Sequence, residues 1–333
     1  GDTSDYTIEG NEFPTSRYAL QQFADLGNDQ DISTVLADNT FDEAVTAEDP
    51  DEDVTAGEDG MLPGIWADIE PAILAAEADP GADETVNVVR AGYYSNFTVT
   101  EGGLAAVDAV DGAVIDQWPD EKDPGVYIDG ASDVTIEGFE IRDQKYGVLV
   151  EGASGVTLVD NDVHDNNNTG VRIADSSGVT VEGGAVYDNG EHYYNNGDIV
   201  NDTENVDDGI RATSSSGVTV DGTAVYDNEN DNIDLTDVEG GLVQGATISD
   251  AGARAVPLTS PNVDPADDGV QIDEAESDTS ENVLVNGSNF YANPDAGVRV
   301  VSFTDGAEIP ARNQIAGFVP SVAVTYNDFE GQA

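Results

Sequence analysis

The chain has 333 residues, with 69 acidic against 10 basic side chains, a formal net charge of −59 and no cysteine. That balance excludes the basic footprint that nucleic-acid binding needs. The lack of cysteine excludes disulfides, and no apolar run approaches the about 18 residues of a membrane-spanning helix. Hydrophobic residues still make up 38% of the chain and recur at regular Val and Ile positions between the acids, which favours a folded chain over a disordered one. Self-repulsion on this scale is relieved in brine, where the screening length falls to about 3 Å at 1 M salt. A halophilic, archaeal-type protein is the expectation. The start at Gly1, without Met or a signal peptide, fits export. The sequons at Asn96, Asn167, Asn201 and Asn286 are glycosylation candidates outside the cell.

In chain order, residues 1–63 read as an N-terminal extension. PTSRYALQQFADLG is expected to be a short amphipathic helix with Tyr18, Leu20, Phe23 and Leu26 apolar, and Asp49 to Gly60 an acid-rich loop. The extension could cover the first coil, pack on its flank or reach a neighbouring subunit. From residue 64 a short helix follows, with Pro71 in its first turn and Pro80-Gly81 beyond its end. One or two irregular coils come next (ETVNVVRAG, NFTVTEG, GAVIDQW).

Then one pattern repeats. GVYIDGASDVTIEGFEIRD, GVLVEGASGVTLVDNDVHDN, GVRIADSSGVTVEGGAVYDN and GIRATSSSGVTVDGTAVYDN start at Gly125, Gly147, Gly170 and Gly209, spaced by 22, 23 and 39 residues. Such a period marks a solenoid whose coils bury their apolar faces by stacking. Each repeat holds three short stretches of alternating residues between Gly, Asp, Asn and Ser turns, hence three strands per coil. Val126 and Ile128 with their copies to Ile210 and Ala212, Val134 and Ile136 with theirs to Val218 and Val220, and Ile141, Val163, Val186 and Val225 should point inward. Less regular coils begin at Asn232, Gly269 and Gly297, and SVAVTYNDF forms the last. The expected fold is all-β, a parallel β-helix of about eight to nine coils over residues 64–333, with an N-terminal capping helix and a mixed extension.

The helix, the PG turn, the V-x-V-x-x-G-x-Y strand and the GV-x-I…GVTV…V-x-DN coils resemble the right-handed parallel β-helix superfamily. That superfamily includes pectate lyases, polygalacturonases, NosD-like proteins and viral tailspikes. The resemblance implies the fold and leaves function to the sites carried on it. SPNVDPADDGVQI (Ser260 to Ile272) faintly resembles polygalacturonase signatures, but the family's Gly-His-Gly and Arg-Ile-Lys motifs have no counterpart: the histidines are His164 and His192 alone.

Two outward columns are candidate sites. On the first strand Arg172, Arg211 and Arg299 share one column, and Asp208, Asp231 and Asp268 precede that strand on consecutive coils. Asp207-Asp208 and Asp267-Asp268 are paired acids next to two long insertions. Arginines bind uronate carboxylates through their fork geometry. The aspartates could act as acid and nucleophile, or Asp207, Asp208, Asp267 and Asp268 could hold Ca²⁺; equally, the set could be a charge-neutralising ladder. The second column, His164, Tyr187, Tyr226 and Tyr291, suits stacking on sugar rings or stacking on itself. Asp-Asn pairs and an outward Thr column serve turns and strands.

An end without a capping segment at Tyr326 to Ala333 favours end-to-end or lateral self-association. The first expectation is therefore a non-catalytic subunit of a halophilic archaeal or archaeal-virus assembly, a filament, surface layer or fibre at the cell or virion surface or outside the cell, in contact with glycans. A secreted polysaccharide lyase or glycoside hydrolase acting on acidic polysaccharide is the alternative, and a monomeric glycan-binding module the second. No cofactor is required.

Overall fold

Alternation of apolar and polar residues turns Val and Ile inward and aims the backbone N–H and C=O groups at neighbouring coils. In the computed structural model these groups pair along the coil axis in three sheets. The structure describes residues 10, 12–13, 20–21, 40–41, 45–48, 64–66, 68–77, 84–100, 104–116, 123–190, 194–195, 198–199, 207–251, 268–274, 283–293, 297–302, 322–325 and 328–330.

The first sheet has eight parallel strands, from Phe97–Val99 through Val126–Asp129 to Val298–Ser302. The third has nine, from Gly92–Tyr94 to Asp328–Glu330. The second has twelve and runs parallel from Glu84–Val88 to Val322–Thr325. That parallel run holds nine strands, so the three sheets match the eight to nine coils expected. The inward residues named above, from Val126 to Val225, are all at most 5% exposed. Each fully buried Val or Ile contributes about 1.5–3 kcal/mol of apolar burial.

The turn after the third strand explains the Asp-Asn pairs. Asp165, Asp188 and Asp227 take left-handed φ angles of 52°, 53° and 55°, which short Asx side chains tolerate. Asn166, Asn189 and Asn228 then point inward, fully buried. Asn166 Nδ2 donates to Asn189 Oδ1 at 2.9 Å and Asn189 Nδ2 to Asn228 Oδ1 at 3.0 Å. The same amides serve backbone groups: Asn189 Nδ2 donates to Val163 O, and Asn166 N donates to Asn189 Oδ1. Ala251 holds the next place in this ladder. There Asn232, in the column that other coils fill with Gly, accepts from Asn228 Nδ2 at 2.9 Å and donates to Ser249 O and Asn293 Oδ1. The Gly column is tight: a Cβ at Gly147 would lie 2.3 Å from Val163 Cγ1 and 2.7 Å from Gly170 O.

At the N-terminal end, the helix Ile69–Ala76 buries Ile69, Ala72, Ile73 and Ala76. Its acids close the first sheet's edge. Asp68 Oδ1 accepts from Ile69 N and Ser95 N, Glu70 Oε2 from Thr98 N at 2.7 Å, and Glu77 Oε1 from Thr100 N at 2.8 Å. The N–H groups of Ser95, Thr98 and Thr100 at this edge, where free groups would invite another chain, are thus satisfied by carboxylates. Val45–Glu48 pairs antiparallel with both Gly64–Trp66 and Glu84–Val88, so this part of the extension joins the chain's own second sheet. One expectation is corrected: within the stretch read as an amphipathic helix, Leu20–Gln21 is a strand on Gly64–Trp66. Sheet pairing overrides helical periodicity there, and the rest of that stretch, like Asp49 to Gly60, lies outside the described residues.

Candidate functional site

The register aligns Arg172 with Arg211, Arg211 with Asp234, Asp234 with Gln271 and Gln271 with Arg299 on the outer side of the first sheet. Asp208, Asp231 and Asp268 stand at the corner two residues before successive strands. They do not line an open cleft: their exposures are 0%, 2% and 0%, and Asp234 is 4% exposed. Arg211 bridges Asp208 at 3.3 Å and Asp234 at 3.5 Å. Asn230 Nδ2 donates to Asp208 Oδ1 at 2.7 Å, and Arg299 lies 3.5 Å from Asp268. Arg172 is engaged elsewhere, donating to the Tyr146 hydroxyl at 2.8 Å and lying over that ring with Lys145.

Burial without water disfavours charge. It pushes Asp208 up to about 8, with Asp234 adding repulsion and Arg211 opposing it. Burial likewise raises Asp231 well above the carboxylate range, helped by Asp208 and Asp268. Asp273, beside Asp234, is pushed up to about 6. Chemically the corner places carboxyl groups that burial holds against ionisation next to an arginine. Among the described residues, no three carboxylate or imidazole groups converge as metal ligands. Asp207 is partly exposed, and Asp267 lies outside the described residues.

The second column forms a ring stack. His164 and Tyr187 lie 4.7 Å apart at 9°, and Tyr187 and Tyr226 lie 4.9 Å apart at 4°. The ring faces therefore cover one another at the pitch of the coil, leaving edges and hydroxyls outward. Ser249 interrupts the column before Tyr291, which is 43% exposed. Tyr93, on the same sheet, is 61% exposed. His164 Nδ1 lies 2.8 Å from Asp165 Oδ2, and Glu140 Oε1 is shared by His164 Nε2 and Arg142 Nε at 3.4 and 3.3 Å. This acid-framed cluster was not singled out by the sequence pattern.

A groove of about 570 Å³ was also missed. It runs along the turn between the first and second sheets, lined by Ser154, Ser177, Ser214 and Ser216 with Asp175 and Glu239 at its rim. Its floor is a second ladder, in which Ala153 N donates to Ser176 Oγ and Ser176 N to Ser215 Oγ. The aligned Ser-Ser-Gly turns carried the signal, but serine in a turn reads as punctuation.

Of the sequons, Asn96, Asn167 and Asn286 are partly exposed and Asn201 lies outside the described residues. The hydroxyl-bearing partners Thr169 and Ser288 are fully buried.

A family model described as a right handed beta helix region matches residues 124–314. No match is found among curated proteins. Similar solved structures include pectate lyase Pel9A, 16% identical over 73% of this chain and 67% of that one with a TM-score of 0.48. An alginate lyase from Paenibacillus sp. str. FPU-7 is 12% identical over 72% and 87%, with a TM-score of 0.49. PfbA, a surface adhesin of Streptococcus pneumoniae, is 11% identical over 78% and 74%, with a TM-score of 0.40. At these identities the likeness is one of fold.

Proposed function

The chain belongs to the right-handed β-helix family, and we propose that it is a non-catalytic, self-associating subunit of an extracellular surface assembly in concentrated salt, in contact with glycans. The observation that carries this reading is the contrast between the two columns. Asp208, Asp231 and Asp268 are closed off and bonded within the coil, whereas the third sheet presents Tyr93, Tyr187, Tyr226 and Tyr291 along one face, with Tyr93 and Tyr291 exposed at 61% and 43%. Tyrosine supplies an apolar edge and a hydroxyl at low entropic cost, a suitable surface for neutral sugar units. The charge of −59 supports the salt-rich setting. For self-association we assign the axial face formed by Val298–Ser302, Val322–Thr325 and Asp328–Glu330, opposite the end that the helix covers.

Glycan binding measured on an array in molar KCl, with the wild type beside Tyr187→Ala and Tyr226→Ala, tests the contact. Loss of signal in both variants is expected, and unchanged signal rejects this face. Ordered polymers in electron micrographs are expected for the assembly, and monodisperse single particles at every salt concentration would reject it. One observation favours a second reading, cleavage of acidic polysaccharide: burial pushes Asp208 up to about 8 beside Arg211, toward the range in which a general acid works at neutral pH. Fragment release that disappears in Asp208→Asn would establish it.

A further inference from the structure

The corner that opens the first sheet holds more acid than cation among the described residues. Asp208, Asp231 and Asp234 are 0%, 2% and 4% exposed, and Arg211 is shared between Asp208 and Asp234. Asp231 stands between Asp208 and Asp268, its Oδ1 accepting from the Asp268 amide at 2.6 Å. The other charged groups facing the corner are Asp207 beside Asp208, Asp268 with Arg299, and Asp273 near Asp234. Removing a carboxylate from water costs several kcal/mol in practice, and like charges on rungs about 4.8 Å apart repel in a poorly screened interior. A single guanidinium offsets a single charge. The rest is most simply relieved by keeping protons.

We propose that the Asp208–Asp231 ladder is a proton-held joint of the coil: it keeps at least one proton at neutral pH and loses it in mild alkali, loosening the coils that begin at these residues. The burial that raises both carboxyls acts in the same direction. The sign follows from linkage. A carboxyl whose folded value lies above its unfolded value of about 3.9 contributes stability that is complete below that value and is lost as pH rises through the folded one. For Asp208 the loss therefore extends up to about pH 8. Ordinary surface carboxylates finish titrating well below this, so carboxyl titration between about pH 6 and about pH 9 reports this corner, Asp273 included at the lower limit.

The test uses the full chain in molar KCl and two readouts over that window. In infrared spectra of the wild type, a protonated-carboxyl band is expected at neutral pH, fading by about pH 9 and diminished in Asp208→Asn and Asp231→Asn. In hydrogen exchange, corrected for intrinsic rates, opening of residues 208–251 should increase up to about tenfold per pH unit for each proton held, while residues 125–165 stay level. Absence of the band in the wild type at neutral pH, or opening of residues 208–251 that does not change with pH, overturns the proposal whether or not the variants fold.

Discussion

Asn232 illustrates how one side chain repairs a repeat. The ladder lacks its amide at Ala251, and Asn232 reaches into that space from a column that is otherwise Gly. Ala251→Asn alone should therefore crowd Asn232 and lower thermal stability, and Asn232→Gly alone should leave buried polar groups unsatisfied, each costing about 1–3 kcal/mol. The double variant should recover most of the loss. A thermal-melt double-mutant cycle with a coupling below about 0.5 kcal/mol would show that the two sites are independent. Gly147→Ala probes the same corner: its Cβ would meet Val163 and the Gly170 carbonyl, and a melt unchanged from wild type would show that the corner gives way.

At the scale of elements, the stack of His164, Tyr187 and Tyr226 serves its sheet first. Tyr187 has both faces covered, so Tyr187→Ala should cost about 0.5–1.5 kcal/mol beyond lost burial. Tyr291, separated from the stack by Ser249, should cost little when changed to Ala. Equal melts for the two variants would contradict this ranking. The strands were legible in the sequence because Val and Ile alternate at a fixed period, and the Asp-Asn turns because their residue types have a steric reason to sit there. The acid corner was legible as a column but not in depth, since register says which residues align and not what closes over them. Leu20–Gln21 was misread because a two-residue strand is defined by its partner, Gly64–Trp66, and carries no period of its own. The serine groove was passed over because hydroxyls that bond backbone across coils look like any other turn residues.

The whole molecule combines an interior of stacked apolar and amide ladders, with one buried acid corner at the first sheet, and a chain that carries a net charge of −59. Salt should stabilise it strongly: the melting temperature is expected to rise steadily with KCl and the coil to expand at low ionic strength. A melt insensitive to salt would mean that the repulsion is neutralised internally. The division of labour between a closed acid corner and an open tyrosine face is decided by one assay on the intact chain. Acidic and neutral polysaccharides are incubated with the protein in molar KCl, and retained glycan and released fragments are quantified together. Retention without fragments is expected, with retention lost in Tyr226→Ala and kept in Asp208→Asn. Fragments that accumulate with the wild type and vanish with Asp208→Asn would make the acid corner, and not the tyrosine face, the working site.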